Sequence, residues 1–239
     1  MESRETRFDS FRIGLIGLTP GAGATLLAVC GAGFLAEQGL QVSVAELGRG
    51  GIYEALGMEK RFALREFHSF LKATAGSVNL RRLENREMEI NWALRLPDER
   101  RETLSYRDAL RLIYGLSGSV LLFDFSGRAG EDVWLLAKEM DQMIVVVDPM
   151  PQALFSGREN LERWKLSELP VVYAVNRQTA GIDQKELARY LKTKESVAVP
   201  FLEPQWLYEA QYAGFSPWKH TAVRERLRPA LQQLFDPVF

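Results

Sequence analysis

The residues with the most chemical content stand at one turn near the N-terminus. An apolar run, Ile13-Gly14-Leu15-Ile16-Gly17-Leu18, leads into Thr19-Pro20-Gly21-Ala22-Gly23-Ala24-Thr25 and then into an apolar stretch with helical character. Strand, glycine turn and helix N-terminus make an anion cradle: small residues let backbone N–H groups converge, and the helix dipole adds partial positive charge. Phosphate is the chemistry such a turn serves, although the segment alone also allows a tight connection that binds nothing. Other constellations carry less. His68 and His220 are the only histidines and lack metal-ligand spacing. Ser126, between Phe125 and Gly127, has no histidine at a spacing that would activate it as a hydrolase nucleophile. Cys30 is the single cysteine, which excludes an internal disulfide and a cysteine metal cluster. Arg224, Arg226 and Arg228 read as a solvated helix face.

The elements that must position this turn alternate along the chain. Short β-branched apolar runs are expected as strands at Arg12 to Leu18, Gln41 to Leu47, Glu89 to Leu96, Ser119 to Phe125, Met143 to Asp148, Val171 to Asn176 and Ser196 to Pro200. Val120 to Phe123 and Ile144 to Val147 are apolar on consecutive residues, so both faces of those strands must be covered. Helices are expected at Ala24 to Gln38, Tyr106 to Gly115, Glu131 to Glu139, Ser156 to Leu166, Gln184 to Leu191 and Thr221 to Phe235. The fold class that follows is α/β, a mostly parallel central sheet of about seven strands with helices on both faces. Residues 1–239 read as one domain. The stretch near 51–87 is an irregular helical excursion with pieces at Ile52 to Leu56 and Ala63 to Leu71.

Composition narrows the function classes. Hydrophobic residues at 46% and charged residues at 26% fit a globular chain and exclude a disordered or low-complexity one. Thirty basic residues against 31 acidic ones give a net charge of −1, which removes a global electrostatic case for nucleic acid or an acidic membrane. Met1 to Ser10 is charged and polar, unlike a signal peptide, and the longest apolar stretch, around Thr25 to Ala36, is too short to span a bilayer. A cytoplasmic location is expected. Val223, Leu227, Leu231, Leu234 and Phe235 form a terminal amphipathic stripe that suits a docked helix or one lying on a membrane. Pro229 favours docking, because burial can offset the cost of a proline that a free surface helix would bear in full.

The turn and the rest of the chain resemble the MinD/ParA group of deviant-Walker P-loop ATPases, whose loop reads Lys-Gly-Gly-Val-Gly-Lys-Thr-Thr. Laid on Thr19 to Leu26, that loop matches Gly21, Gly23 and Thr25, while Ala24 replaces the phosphate lysine, Thr19 the signature lysine and Pro20 a glycine. Val42 to Gly48 is similar to the second strand, normally ending Asp-x-Asp; Glu46 stands at the first acid and Gly48 at the second, which helps position the attacking water. Leu121 to Gly127 is similar to the strand ending Asp-x-Pro-x-Gly, with Asp124 at the magnesium-linked carboxylate and Ser126 in place of proline. Val146-Val147-Asp148-Pro149, Val175-Asn176-Arg177 and Val199-Pro200-Phe201 follow in the family's order, and Tyr208 to Gly214 is similar to the helix after them.

The resemblance implies a nucleotide site at Gly21, Ala22, Gly23, Ala24 and Thr25, with Asn176 and Pro200 at the base and Thr25 and Asp124 for the metal. The implied cofactor is ATP or ADP with Mg, bound weakly or not at all. Catalysis in such hydrolases is mostly charge stabilisation, and removing one preorganised donor typically raises the barrier by about 3–4 kcal/mol. Two lysines and one acid are gone, so efficient hydrolysis is not expected and no residue is assigned a catalytic role. Arg49 and Arg128 stand near the right end of the sheet, where a replacement cation would be needed, but both read more simply as solvated loop charges. The function that results is a degenerate bacterial P-loop protein acting as a localisation or assembly module through an unknown protein partner. Its nearest analogy is with pilus-assembly and cell-pole proteins of the TadZ/CpaE kind, whose receiver-like N-terminal domain has no counterpart in these residues. A homodimer independent of ATP fits, no specific nucleic acid is expected, and membrane contact is the less favoured option. The alternatives are an active partition- or division-type ATPase with an unusual catalytic set, and a kinase or amidotransferase-like use of the same fold.

Overall fold

The computed structural model describes residues 10–61, 67, 69, 86–87, 90–101, 104–193 and 196–239. An eight-stranded sheet has the order β3-β4-β2-β5-β1-β6-β7-β8, with β1 (Phe11–Gly17), β2 (Val42–Glu46), β3 (Arg86–Glu87), β4 (Ile90–Ala93), β5 (Val120–Asp124), β6 (Gln142–Val147), β7 (Val171–Gln178) and β8 (Ser196–Pro200). Seven strands are parallel, and each corresponds to an expected run; β3 joins β4 antiparallel and was not anticipated. The interior strands β2, β5 and β6 are buried along their whole length, as the consecutive apolar residues Val120 to Phe123 of β5 and Ile144 to Val147 of β6 require; β2 buries Ser43 and Glu46 as well. Their side chains still alternate. Val120 and Leu122 enter the core on one face, Leu121 and Phe123 the core on the other.

Helices α1 (Ala24–Glu37) and α10 (Thr221–Leu234) cover the first face; α4 (Tyr106–Gly115), α5 (Asp132–Ala137), α7 (Arg158–Leu166) and α8 (Gln184–Leu191) cover the second. Two short helices, α2 (Ile52–Ala55) and α3 (Met58–Arg61), open the expected excursion, while most of its second piece, Ala63 to Leu71, lies outside the described residues, His68 included. The helix expected at Ser156 to Leu166 is α7, which starts at Arg158, and Gly157 separates it from a further short helix, α6 (Pro151–Ser156). Pro204 opens α9 (Pro204–Ala213), and Gly214 closes it in the left-handed region at φ 69°.

The terminal helix is docked. α10 buries Val223, Leu227, Ala230, Leu231 and Leu234, and Pro229 lies on its exposed side. Arg228, expected on a solvated face, reaches Glu37 at the end of α1 with two bonds of 2.9 Å. Phe235, fully buried, presses on Gly31, where a Cβ would stand 2.5 Å from its ring, and stacks on Phe34 at 6.4 Å. No described helix is long and apolar enough to cross a membrane.

Candidate functional site

Strand β1 sits centrally: the chain places β2, β4 and β5 on one side of it and β6, β7 and β8 on the other. The carboxyl end of such a strand, where the direction of winding reverses, is where open α/β sheets hold ligands. The loop from Leu18 to Gly23 occupies that position. Gly21 (φ 79°) and Gly23 (φ 105°) are both left-handed, a conformation that side chains resist, so two of the glycines the sequence offered are demanded by the backbone. α1 starts at Ala24 with no side-chain cap, and Leu27 is the first residue to donate back, to the Gly23 carbonyl at 3.1 Å. The N–H groups of Ala24, Thr25 and Leu26 therefore have no acceptor among the described residues.

Three oxygens meet behind the loop. Thr25 Oγ1 donates to Asp124 Oδ2 at 2.7 Å and lies 3.0 Å from Ser126 Oγ, and the Ser126 N–H donates to Asp124 Oδ1 at 2.9 Å. Burial pushes the Asp124 carboxyl above the usual carboxylate range, opposed by the hydrogen bonds from Ser126 and Thr25. A hydroxyl beside a buried carboxylate is a hard oxygen pair that suits magnesium, whose charge would favour the ionised form. The expected pairing of Thr25 with Asp124 is thus formed in space.

Asn176 and Pro200 are placed differently from the loop residues. The Asn176 amide donates to the Ala22 carbonyl at 2.8 Å, and its oxygen accepts the Arg177 N–H at 2.8 Å. Arg177, itself left-handed at φ 56°, donates to the Gly21 carbonyl at 2.9 Å and pairs with Asp148. Together these two residues of β7 tie down the loop's outward carbonyls. Pro200 ends β8 opposite Gln178.

At the end of β2, Glu46 is buried and accepts the N–H groups of Gly51 (2.6 Å) and Ile52 (2.7 Å), fixing the start of α2. Gly48 runs against the backbone that follows β5: a Cβ there would overlap the Ser126 carbonyl, and a cation just past β4, Arg95, donates to the Gly48 carbonyl. Arg128 corrects the sequence reading. Its side chain is buried, donating to the carbonyls of Leu47 (2.7 Å) and Leu104 (3.1 Å) and pairing with Asp132, because the Gly127 turn folds it inward rather than into solvent.

A cavity of about 760 Å3 opens over the loop. Thr19 to Leu26 form one wall, Arg49 and Ser126 to Gly130 another, and Trp134, Arg163 and Trp164 a third. Neither Asn176 nor Pro200 is among the described residues that line it. The third wall is what sequence reasoning missed: Arg163 lies 4.5 Å over the Trp134 ring and binds Glu131 with bonds of 3.0 and 3.1 Å, and Trp134 meets Trp164 at 4.4 Å. Its signal was the Glu131/Trp134 and Arg163/Trp164 pairs on two helices, separated by too much sequence to be joined without the fold. Asn160 of α7 also braces the loop, donating to the Leu18 carbonyl at 3.2 Å.

No protein-family model and no curated protein matches the sequence. Solved structures do match. The septum site-determining protein MinD complexed with Mg-ADP from Pyrococcus horikoshii OT3 aligns over 96% of this chain and 96% of its own, with a TM-score of 0.74 at 15% identity. A ParA family ATPase from Chlorobium tepidum TLS aligns over 93% and 97%, with a TM-score of 0.69 at 14% identity. A chain of the MinC:MinD cell division protein complex of Aquifex aeolicus aligns over 96% of this chain and 94% of its own, with a TM-score of 0.67 at 16% identity. The strand order, the loop at the end of β1 and these likenesses agree: the chain has the α/β fold of the MinD/ParA P-loop ATPases.

Proposed function

We propose that this chain is a single-domain, degenerate MinD/ParA-like protein that holds a nucleotide weakly, hydrolyses it poorly, and works through contacts with another protein. The carrying observation is the contrast at the loop. The backbone cradle and the Thr25–Asp124 pair are intact, while Ala24 and Thr19 carry no charge and Gly48 has no room for an acid. In P-loop chemistry those missing groups stabilise charge on the transferring phosphoryl and orient the water, so binding survives their loss better than turnover does. Thr25 and Asp124 would hold magnesium, which would neutralise phosphate charge; Gly21 to Thr25 would hold the phosphates. The MinD likeness bound to Mg-ADP supports the cofactor class, and the MinC:MinD complex supports a protein partner. Self-association should not depend on ATP, because Thr19 stands, uncharged, where the MinD/ParA signature lysine reaches the partner subunit's nucleotide.

Calorimetric titration with Mg-ATP and Mg-ADP, a phosphate-release assay and sedimentation with and without ATP test this reading. Expected are dissociation constants weaker than micromolar, release at background and an unchanged oligomeric state. Micromolar binding with steady turnover would instead establish the second reading, an active partition- or division-type ATPase, which the retained Thr25–Asp124 pair favours.

A further inference from the structure

We propose that Arg49 supplies to the phosphates the positive charge that the loop itself lacks; this rests on the nucleotide-binding reading above. Three arginines line the cavity, and two are engaged within the chain. Arg128 is buried against two backbone carbonyls and Asp132, and Arg163 is held between Glu131 and the Trp134 ring. Arg177, which grips the loop from below, is engaged by Asp148 and the Gly21 carbonyl. Arg49 alone of the lining cations is exposed and has no hydrogen bond or ion pair from its guanidinium among the described residues.

Its place is nonetheless fixed. The Arg49 N–H donates to the Ser126 carbonyl at 2.9 Å, which anchors the residue beside the Asp124–Ser126 corner. The side-chain stem then lies along Gly127, where a Cβ would stand 2.9 Å from Arg49 Cγ, so the absence of a side chain at 127 is what lets the stem pass. An arginine held at its base with a free head at the rim of a cavity built by Thr19 to Leu26 is arranged to meet an anion seated on the loop. Its planar fork matches two phosphate oxygens at once, and no covalent step is involved. A lysine at position 24 would start from the first turn of α1; here the charge comes from the opposite wall, just past the end of β2.

The test measures Mg-ADP and pyrophosphate binding by calorimetry to the full chain and to Arg49→Ala, Arg49→Lys and Arg158→Ala, the last removing an exposed arginine of α7 that does not line the cavity. Expected for Arg49→Ala is binding weaker by roughly 10- to 100-fold for both ligands, the loss anticipated for hydrogen bonds to a charged group. Arg49→Lys should recover part of it, Arg158→Ala should bind as the parent does, and all variants should melt together. Parent binding with an unaltered Arg49→Ala would overturn the role of Arg49 while leaving the nucleotide reading standing. An equal loss in Arg158→Ala would also overturn it, by reducing the effect to net charge. A parent chain that binds neither ligand at millimolar concentration would overturn both.

Discussion

Helix α1 lives in two different surroundings. Its first turn lines the cavity, with N–H groups that have no acceptor among the described residues and an alanine where the MinD/ParA loop has a lysine. Its later turns are packed to contact, with Gly31 under Phe235, Cys30 and Ala32 fully buried, and Phe34 among the rings of Trp218, Phe235 and Phe239. At the first turn an alanine stands in the lysine position with the fold kept, because Ala24, 3% exposed, packs into the core beneath the cavity and Thr25 holds Asp124. The later turns allow little exchange, because any added atom meets a ring. The helix is therefore held by apolar burial and does not depend on a ligand for its position.

The largest effect should come from the packed end. Phe235→Ala removes a ring that covers Gly31 and Phe34, at a cost of about 3–5 kcal/mol, and thermal denaturation should show the midpoint falling by on the order of 10 °C. An unchanged midpoint would mean that the ring of Phe235 is not what holds the far end of α1. At the cavity, Gly48→Asp restores the family's acid in type only. Its Cβ meets the Ser126 backbone, so about 1–3 kcal/mol of stability should be lost with phosphate release still at background. Recovery of turnover would show that the strand ends part easily.

Thr25→Ala should cost less, about 1–2 kcal/mol, since it removes one donor from a buried carboxylate. Burial raises the Asp124 carboxyl above its unfolded value, so ionising it costs stability as pH rises through the native value. The donor matters for the charged form. The Thr25→Ala penalty should accordingly shrink as pH falls through that value, and pH-dependent melts of parent and variant compare the two directly. The smallest effect is a null one. The Cys30 thiol, pushed up to about 12 by burial, should resist alkylation at pH 8 in the native protein and react at once in denaturant. Rapid native labelling would show that the packed end opens.

The seven parallel strands were legible as short runs rich in apolar and β-branched residues, two of them apolar in unbroken succession, and the loop was legible because its glycines follow the first strand. The two-residue β3 has no periodicity to read. Other features depend on residues far apart in sequence. That Gly48 lacks an acid is visible in the chain itself, whereas the reason no acid fits is the backbone of Ser126, on the neighbouring β5 edge. Arg128 looked solvated because its partners, Leu47 and Leu104, lie 81 and 24 residues away. Asn176 falls in the family's order, but its bond to Ala22 arises from packing β7 beneath the loop, which no spacing rule contains.

That grip of Asn176 and Arg177 on two loop carbonyls has a consequence for signalling. A ligand moves a protein between states only by as much as it prefers one to the other. A loop already clamped from below has one shape to offer, and filling it would release little free energy to rearrange the rest of the chain. Such a molecule is poorly suited to be a timer wound by nucleotide and reset by its hydrolysis. It is better suited to be a fixed peg, on which a nucleotide held as proposed would change the charge and contour of one rim while the sheet behind it stays as it was.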